Sequence, residues 1–207
     1  MTRLWTLPNV LGLFRLAVTP VLVALVLLLP FSGAALAAFV VFVPAALSDL
    51  FDGWLARARG QVSTLGVFLD LTADKVLVGG LLIALAQAGV AAAWMVIVLV
   101  IREFVVSGVR QVAANAQVIV VSEVLGKAKT VAVLVAIGAL LLALDARSGG
   151  PSATSGIGPM AHVVGGWLLV AAVLLALVSG IDYLVKAWPI LVAETRATEN
   201  AGEPPAT

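Results

Sequence analysis

Between Arg15 and Asp49 the chain carries no charged residue, and the turn-forming sequence Pro30-Phe31-Ser32-Gly33 is the main break in its apolar run. A membrane-spanning helix needs about 20 predominantly apolar residues, so this stretch predicts two spans, over about residues 13–30 and 33–57. The same alternation of apolar runs and polar or glycine-containing breaks predicts four more, over about 65–87, 91–115, 124–144 and 160–187. The longest loop follows Asp145, where Ser148, Gly149, Gly150, Pro151, Ser152 and Thr154 crowd together. Residues 1–13, with Leu4, Trp5, Leu7 and Leu11 beside Arg3, predict a short amphipathic helix lying on the membrane surface. The expected fold is therefore an all-α integral membrane protein with six transmembrane helices. One membrane-embedded domain covers residues 1–192, and the polar stretch 193–207, too poor in apolar residues to pack, is expected to be a disordered cytoplasmic tail.

Composition removes whole classes of function. Of 207 residues 62% are hydrophobic and only 11% charged, against about a quarter charged in soluble domains. There is no Cys and a single His, His162, which excludes disulfides, thiolate metal sites and imidazole clusters. A net charge of +1, with no basic run, gives no electrostatic footprint for nucleic acid. Position tells more than the sum. With six spans the two termini share a side, and every Lys and Arg except Arg147 falls on that side, which the positive-inside rule makes cytoplasmic.

Against this apolar background stand four aspartates: Asp49 and Asp52, followed by Gly53, Ala56 and Arg57, then eight residues, then Gly66, Asp70 and Asp74. Carboxylates beside lipid are costly and mark functional sites. Residues three, four and seven apart share a helix face, so Asp49, Asp52, Gly53 and Ala56 line one side of the end of span two; Gly66, Asp70 and Asp74 do the same at the start of span three. Brought together, four carboxylates repel one another unless a cation sits among them, and an all-oxygen site suits hard divalent ions such as Mg²⁺ or Mn²⁺. The small residues leave room for a bulky ligand beside the backbone, and phosphoryl transfer is the reaction class these residue types favour. The plainer alternatives are interfacial charges paired with Arg57, Arg59 and Lys75, or a cation-coupled transporter. Transporter carboxylates, however, lie near the membrane midplane within repeated halves, and no repeat is visible here.

The complete spacing of these eight residues resembles the signature of the CDP-alcohol phosphotransferase family. The resemblance implies six transmembrane helices, a homodimer, and transfer of a phosphatidyl or similar group from a CDP-linked donor to an alcohol with release of CMP. Carried over, it makes Asp49, Asp52, Asp70 and Asp74 ligands of two Mg²⁺ or Mn²⁺ ions, with Asp74 also the general base. It places Gly53, Ala56, Arg57 and Gly66 around the CDP group, with Asn9 beside the cytidine or its phosphate.

Further segments resemble the bacterial phosphatidylglycerophosphate synthases within that family: Leu7 to Arg15, then Ile101-Arg102-Glu103 with Arg110, and Gly126-Lys127-Ala128-Lys129-Thr130. Gly12 departs from them, standing where these synthases commonly show Thr. The expected substrates are CDP-diacylglycerol and glycerol 3-phosphate, within a bacterial inner membrane and with the site on the cytoplasmic side. Arg110, Lys127, Lys129 and Arg102 would surround the acceptor's phosphate, while Glu103 would orient one of these cations or form a helix-helix salt bridge. Inositol phosphate and phosphatidylglycerol remain open as other acceptors.

Overall fold

The computed structural model describes residues 7–28, 31–59, 64–115 and 124–202. Among them the chain forms seven helices and no strand: α1 (Leu7–Leu27), α2 (Ala34–Arg59), α3 (Thr64–Gln87), α4 (Ala93–Asn115), α5 (Val124–Arg147), the four-residue α6 (Pro151–Thr154) and α7 (Ile157–Gly202). So apolar a chain cannot offer its backbone to water, and helices satisfy every internal N–H and C=O within one segment. Among the described residues three stretches are long and apolar enough to cross a membrane: Asn9–Leu27, Leu125–Arg147 and Ile157–Pro189. The outward surface matches that solvent, with Phe104, Trp167, Val185 and Trp188 all exposed.

Inside, α5 packs along α7, α1 lies against α2 and α3, and α2 and α4 close the bundle against α5 and α7 respectively. The core alternates large and small side chains. Leu22, Leu81, Leu140 and Leu169 are fully or almost fully buried beside Ala38, Ala45, Ala136 and Ala172, which let the backbones come close. Gly165 shows how close: a Cβ there would lie 2.8 Å from Leu140 Cγ on α5.

Two ends differ from the expectation. The surface helix was to end near residue 13, yet the helix that begins at Leu7 runs unbroken into the first apolar stretch, and residues 1–6 lie outside the described residues. Asn9 and Arg15 are buried in this helix, and a Cβ on Gly12 would lie 3.1 Å from Leu69 Cβ, so its first turns pack against α3. At the other terminus, residues 193–202 of the expected disordered tail are helical, and 203–207 lie outside the described residues. Ala193, Glu194, Arg196, Ala197 and Glu199 are good helix formers, and no Gly or Pro intervenes before Gly202.

The loop after α5 is more ordered than its composition suggests. Asp145 is completely buried. Its Oδ1 accepts from the Leu36 N–H at 3.3 Å and its Oδ2 from the Ser152 N–H at 2.9 Å, so one carboxylate caps the N-termini of α2 and α6. Gly150 makes this possible, because a Cβ there would fall 2.1 Å from Asp145 Oδ1. Nearby, Ser32 donates to the Gly149 carbonyl at 2.9 Å and Arg147 to the Gly89 carbonyl at 3.4 Å, tying three turns together.

Candidate active site

A cavity of about 940 Å³ runs between α2, α4, α5 and α7, from Lys127 at the opposite end along α5 to Leu142. Much of its lining is apolar, with Phe39, Phe42, Val43 and Leu134, and Arg102, Arg110, Lys127 and Lys129 line it as well. These are the four cations expected around the acceptor. The register of the helices explains their convergence: Arg102, Val106 and Arg110 recur at four-residue spacing on α4, and Lys127 and Lys129 occupy the first turns of α5.

The four are not equivalent. Lys129 is buried and donates to Glu103 Oε2, and the same oxygen accepts from Arg102 Nη1 at 3.4 Å. Both roles considered for Glu103, orienting a cation and forming a helix-helix ion pair, are thus filled at once. Arg102 also donates through Nη2 to Ser179 Oγ at 2.9 Å, while its Nε is buried without a hydrogen-bond partner. Arg110 and Lys127 are exposed and have no carboxylate partner among the described residues. The guanidinium of Arg110 lies 5.9 Å from the centroid of the Tyr183 ring, within cation–π range. Arg110 and Lys127 therefore supply the positive charge still open to an anion.

Asp74 lies on α3, half-buried, and lines a small second cavity together with Lys75, Glu103, Lys129 and Thr130. Glu103, Lys129 and Thr130 border the large cavity as well, so they form a shared wall between Asp74 and the cavity that the four cations line.

The other aspartates are placed by their backbone. Asp49, Asp52, Gly53, Ala56 and Arg57 lie in the last turns of α2, and Gly66 and Asp70 in the first turns of α3, two helices that touch. The spacing puts each group on one helix face. The side chains of Asp49, Asp52, Ala56, Arg57 and Asp70 lie outside the described residues. Four oxygen donors on adjoining helices fit a hard divalent cation by the chemistry of the donor set. Asn9 lies on α1, in the helix that packs on α3, and Gly12 beside it leaves the space that Leu69 enters.

The family model described as CDP-alcohol phosphatidyltransferase matches residues 5–178. The chain belongs to that family. A CDP-diacylglycerol--glycerol-3-phosphate 3-phosphatidyltransferase of Bacillus subtilis is 40% identical over 67% of this chain and 78% of its own length. A probable phosphatidylglycerophosphate synthase of Mycobacterium tuberculosis is 35% identical over 89% of this chain and 83% of its own. A further CDP-diacylglycerol--glycerol-3-phosphate 3-phosphatidyltransferase, from Pectobacterium atrosepticum, is 37% identical over 66% of this chain.

The family match ends at residue 178, yet Ser179 and Tyr183 beyond it line the cavity. Neither residue was among the candidates that the sequence offered. The signal was there as Ser179, Asp182 and Tyr183, polar residues at three- and four-residue spacing inside an apolar span.

Proposed function

We propose that this protein transfers the phosphatidyl group of CDP-diacylglycerol to glycerol 3-phosphate, giving phosphatidylglycerophosphate and CMP. The observation that carries the reading is the shared wall. Arg110 and Lys127 open onto one cavity, Asp74 onto the other, and the same three residues divide them. An acceptor with an anionic end and a nucleophilic hydroxyl needs that division of labour.

Arg110 and Lys127 hold the acceptor's phosphate, and the Tyr183 ring fixes the guanidinium over it. Lys129 and Arg102, engaged by Glu103 and Ser179, shape the pocket and keep its potential positive. Asp74 removes the proton of the terminal hydroxyl as its oxygen attacks the lipid-proximal phosphorus. The new oxygen–phosphorus bond forms while the bond to the CMP oxygen breaks, and CMP leaves with that electron pair. Two Mg²⁺ or Mn²⁺ ions held by Asp49, Asp52, Asp70 and Asp74 supply charge stabilisation for the phosphates. Gly53, Ala56, Arg57 and Gly66 frame the CDP group, with Asn9 near the cytidine.

We place six spans in a bacterial inner membrane, since α2, α3 and α4, at 26, 24 and 23 residues, are also long enough to cross. The cations then set the site and both termini in the cytoplasm, and the active form is a homodimer.

The test is CMP release from CDP-diacylglycerol in mixed micelles with Mg²⁺ or Mn²⁺, offering glycerol 3-phosphate, inositol phosphate and phosphatidylglycerol in turn. Release that depends on glycerol 3-phosphate is the expected result. Release with another acceptor alone would keep the chemistry and overturn the substrate.

A further inference from the structure

We infer that Glu103 is a specificity-determining residue of the acceptor site, accepting a hydrogen bond from the hydroxyl that lies between the acceptor's phosphate and its reacting hydroxyl. The inference rests on the proposed acceptor and deepens it.

Among the described residues three border both cavities, and each offers something different. Lys129 is buried and donates one of its three N–H groups to Glu103, and the Thr130 hydroxyl donates to the Gly126 carbonyl at 3.1 Å. Glu103 keeps capacity in reserve. Both of its cationic partners use Oε2, and Oε1 accepts no hydrogen bond among the described residues. Its side chain is 33% exposed, against 10% for Lys129 and 13% for Arg102. The two cations hold the carboxylate in place with one oxygen left over.

Position on α4 adds the second step. Arg110 is seven residues beyond Glu103, two turns along the same face, so the phosphate-binding end and the wall are set in line. A three-carbon polyol phosphate whose phosphate rests at Arg110 and Lys127, and whose terminal hydroxyl reaches Asp74, carries its middle hydroxyl past the wall. A carboxylate only accepts hydrogen bonds, and a hydroxyl can donate one. Glu103 thus rewards an acceptor that has the middle hydroxyl. An acceptor lacking it leaves Oε1 desolvated and unpaired.

The test compares glycerol 3-phosphate with 3-hydroxypropyl phosphate, which keeps the phosphate and the terminal hydroxyl but lacks the middle one. kcat/KM for each is measured with the full chain, CDP-diacylglycerol and Mn²⁺. The unmodified protein is expected to prefer glycerol 3-phosphate by about 10- to 100-fold, the worth of a hydrogen bond to a charged group. Glu103→Gln should shrink that ratio, and Glu103→Met combined with Lys129→Met, which keeps the wall neutral, should bring it near one. A merely structural role lowers both acceptors together and leaves the ratio unchanged, which would overturn the inference. So would equal use of the two acceptors by the unmodified protein, an outcome that leaves the proposed reaction standing. CMP release with neither acceptor would remove the proposed reaction and the inference with it.

Discussion

At one end of the bundle Asp145 is wholly buried and each of its oxygens is met by a backbone N–H; at the other, Arg110 and Lys127 face a cavity with no carboxylate partner among the described residues. Lys129 and Asp145 lie on the same helix, sixteen residues and so about 24 Å apart. Both are buried ionisable groups in an apolar helix, and both are satisfied, but by different means. Asp145 spends its charge on the fold, capping two helices whose geometry never has to change. Lys129 is paired to Glu103, which is paired in turn to Arg102 and borders two cavities. A charge closed off by backbone is structural, whereas a charge network bordering a cavity beside unpaired cations is set up to receive something.

That contrast can be broken at either end. The largest effect belongs to Asp74→Asn, expected to lower CMP release by about 10³-fold or more while leaving thermal unfolding in detergent within a few degrees, since it would remove the proposed base and metal ligand but little packing. Next comes Gly150→Ala at the far end. Its Cβ would meet Asp145 Oδ1 at 2.1 Å, so the cap must open, and about 3 kcal/mol of stability is expected to go, read as a clear drop in unfolding temperature. Activity per folded molecule should stay unchanged, and a selective loss of kcat there would erase the distinction between the ends. The smallest is Ser179→Ala, which removes the neutral partner of Arg102; about 1 kcal/mol is at stake, seen as a few-fold rise in acceptor KM with kcat held.

Much of this was legible in the sequence. Apolar run length placed the helices that became α2 to α5 within about three residues at each end, because lipid leaves a helix few ways to stop. The four cations that line the cavity were legible as chemistry, since ionisable residues in so apolar a chain stand out. What stayed hidden depended on contacts between distant segments. Asp145 sat in a polar, turn-rich stretch and read as loop; its role exists only because Leu36, 109 residues away, begins a helix beside it. The depth of Asn9 and Arg15 was invisible for the same reason, as amphipathic spacing near a terminus suits a membrane surface and a helical neighbour equally. The reach of α7 beyond its apolar part was missed because polarity was taken to end the helix, although Ala, Glu and Arg continue one readily.

The central claim, that the open cations bind the acceptor and not the lipid donor, is tested most directly by steady-state kinetics of Arg110→Ala and Lys127→Ala with both substrates varied. The account predicts that each raises the KM for glycerol 3-phosphate by about 10- to 100-fold, leaves the KM for CDP-diacylglycerol within about twofold, and changes kcat little. A rise in the CDP-diacylglycerol KM with the glycerol 3-phosphate KM unmoved would contradict it.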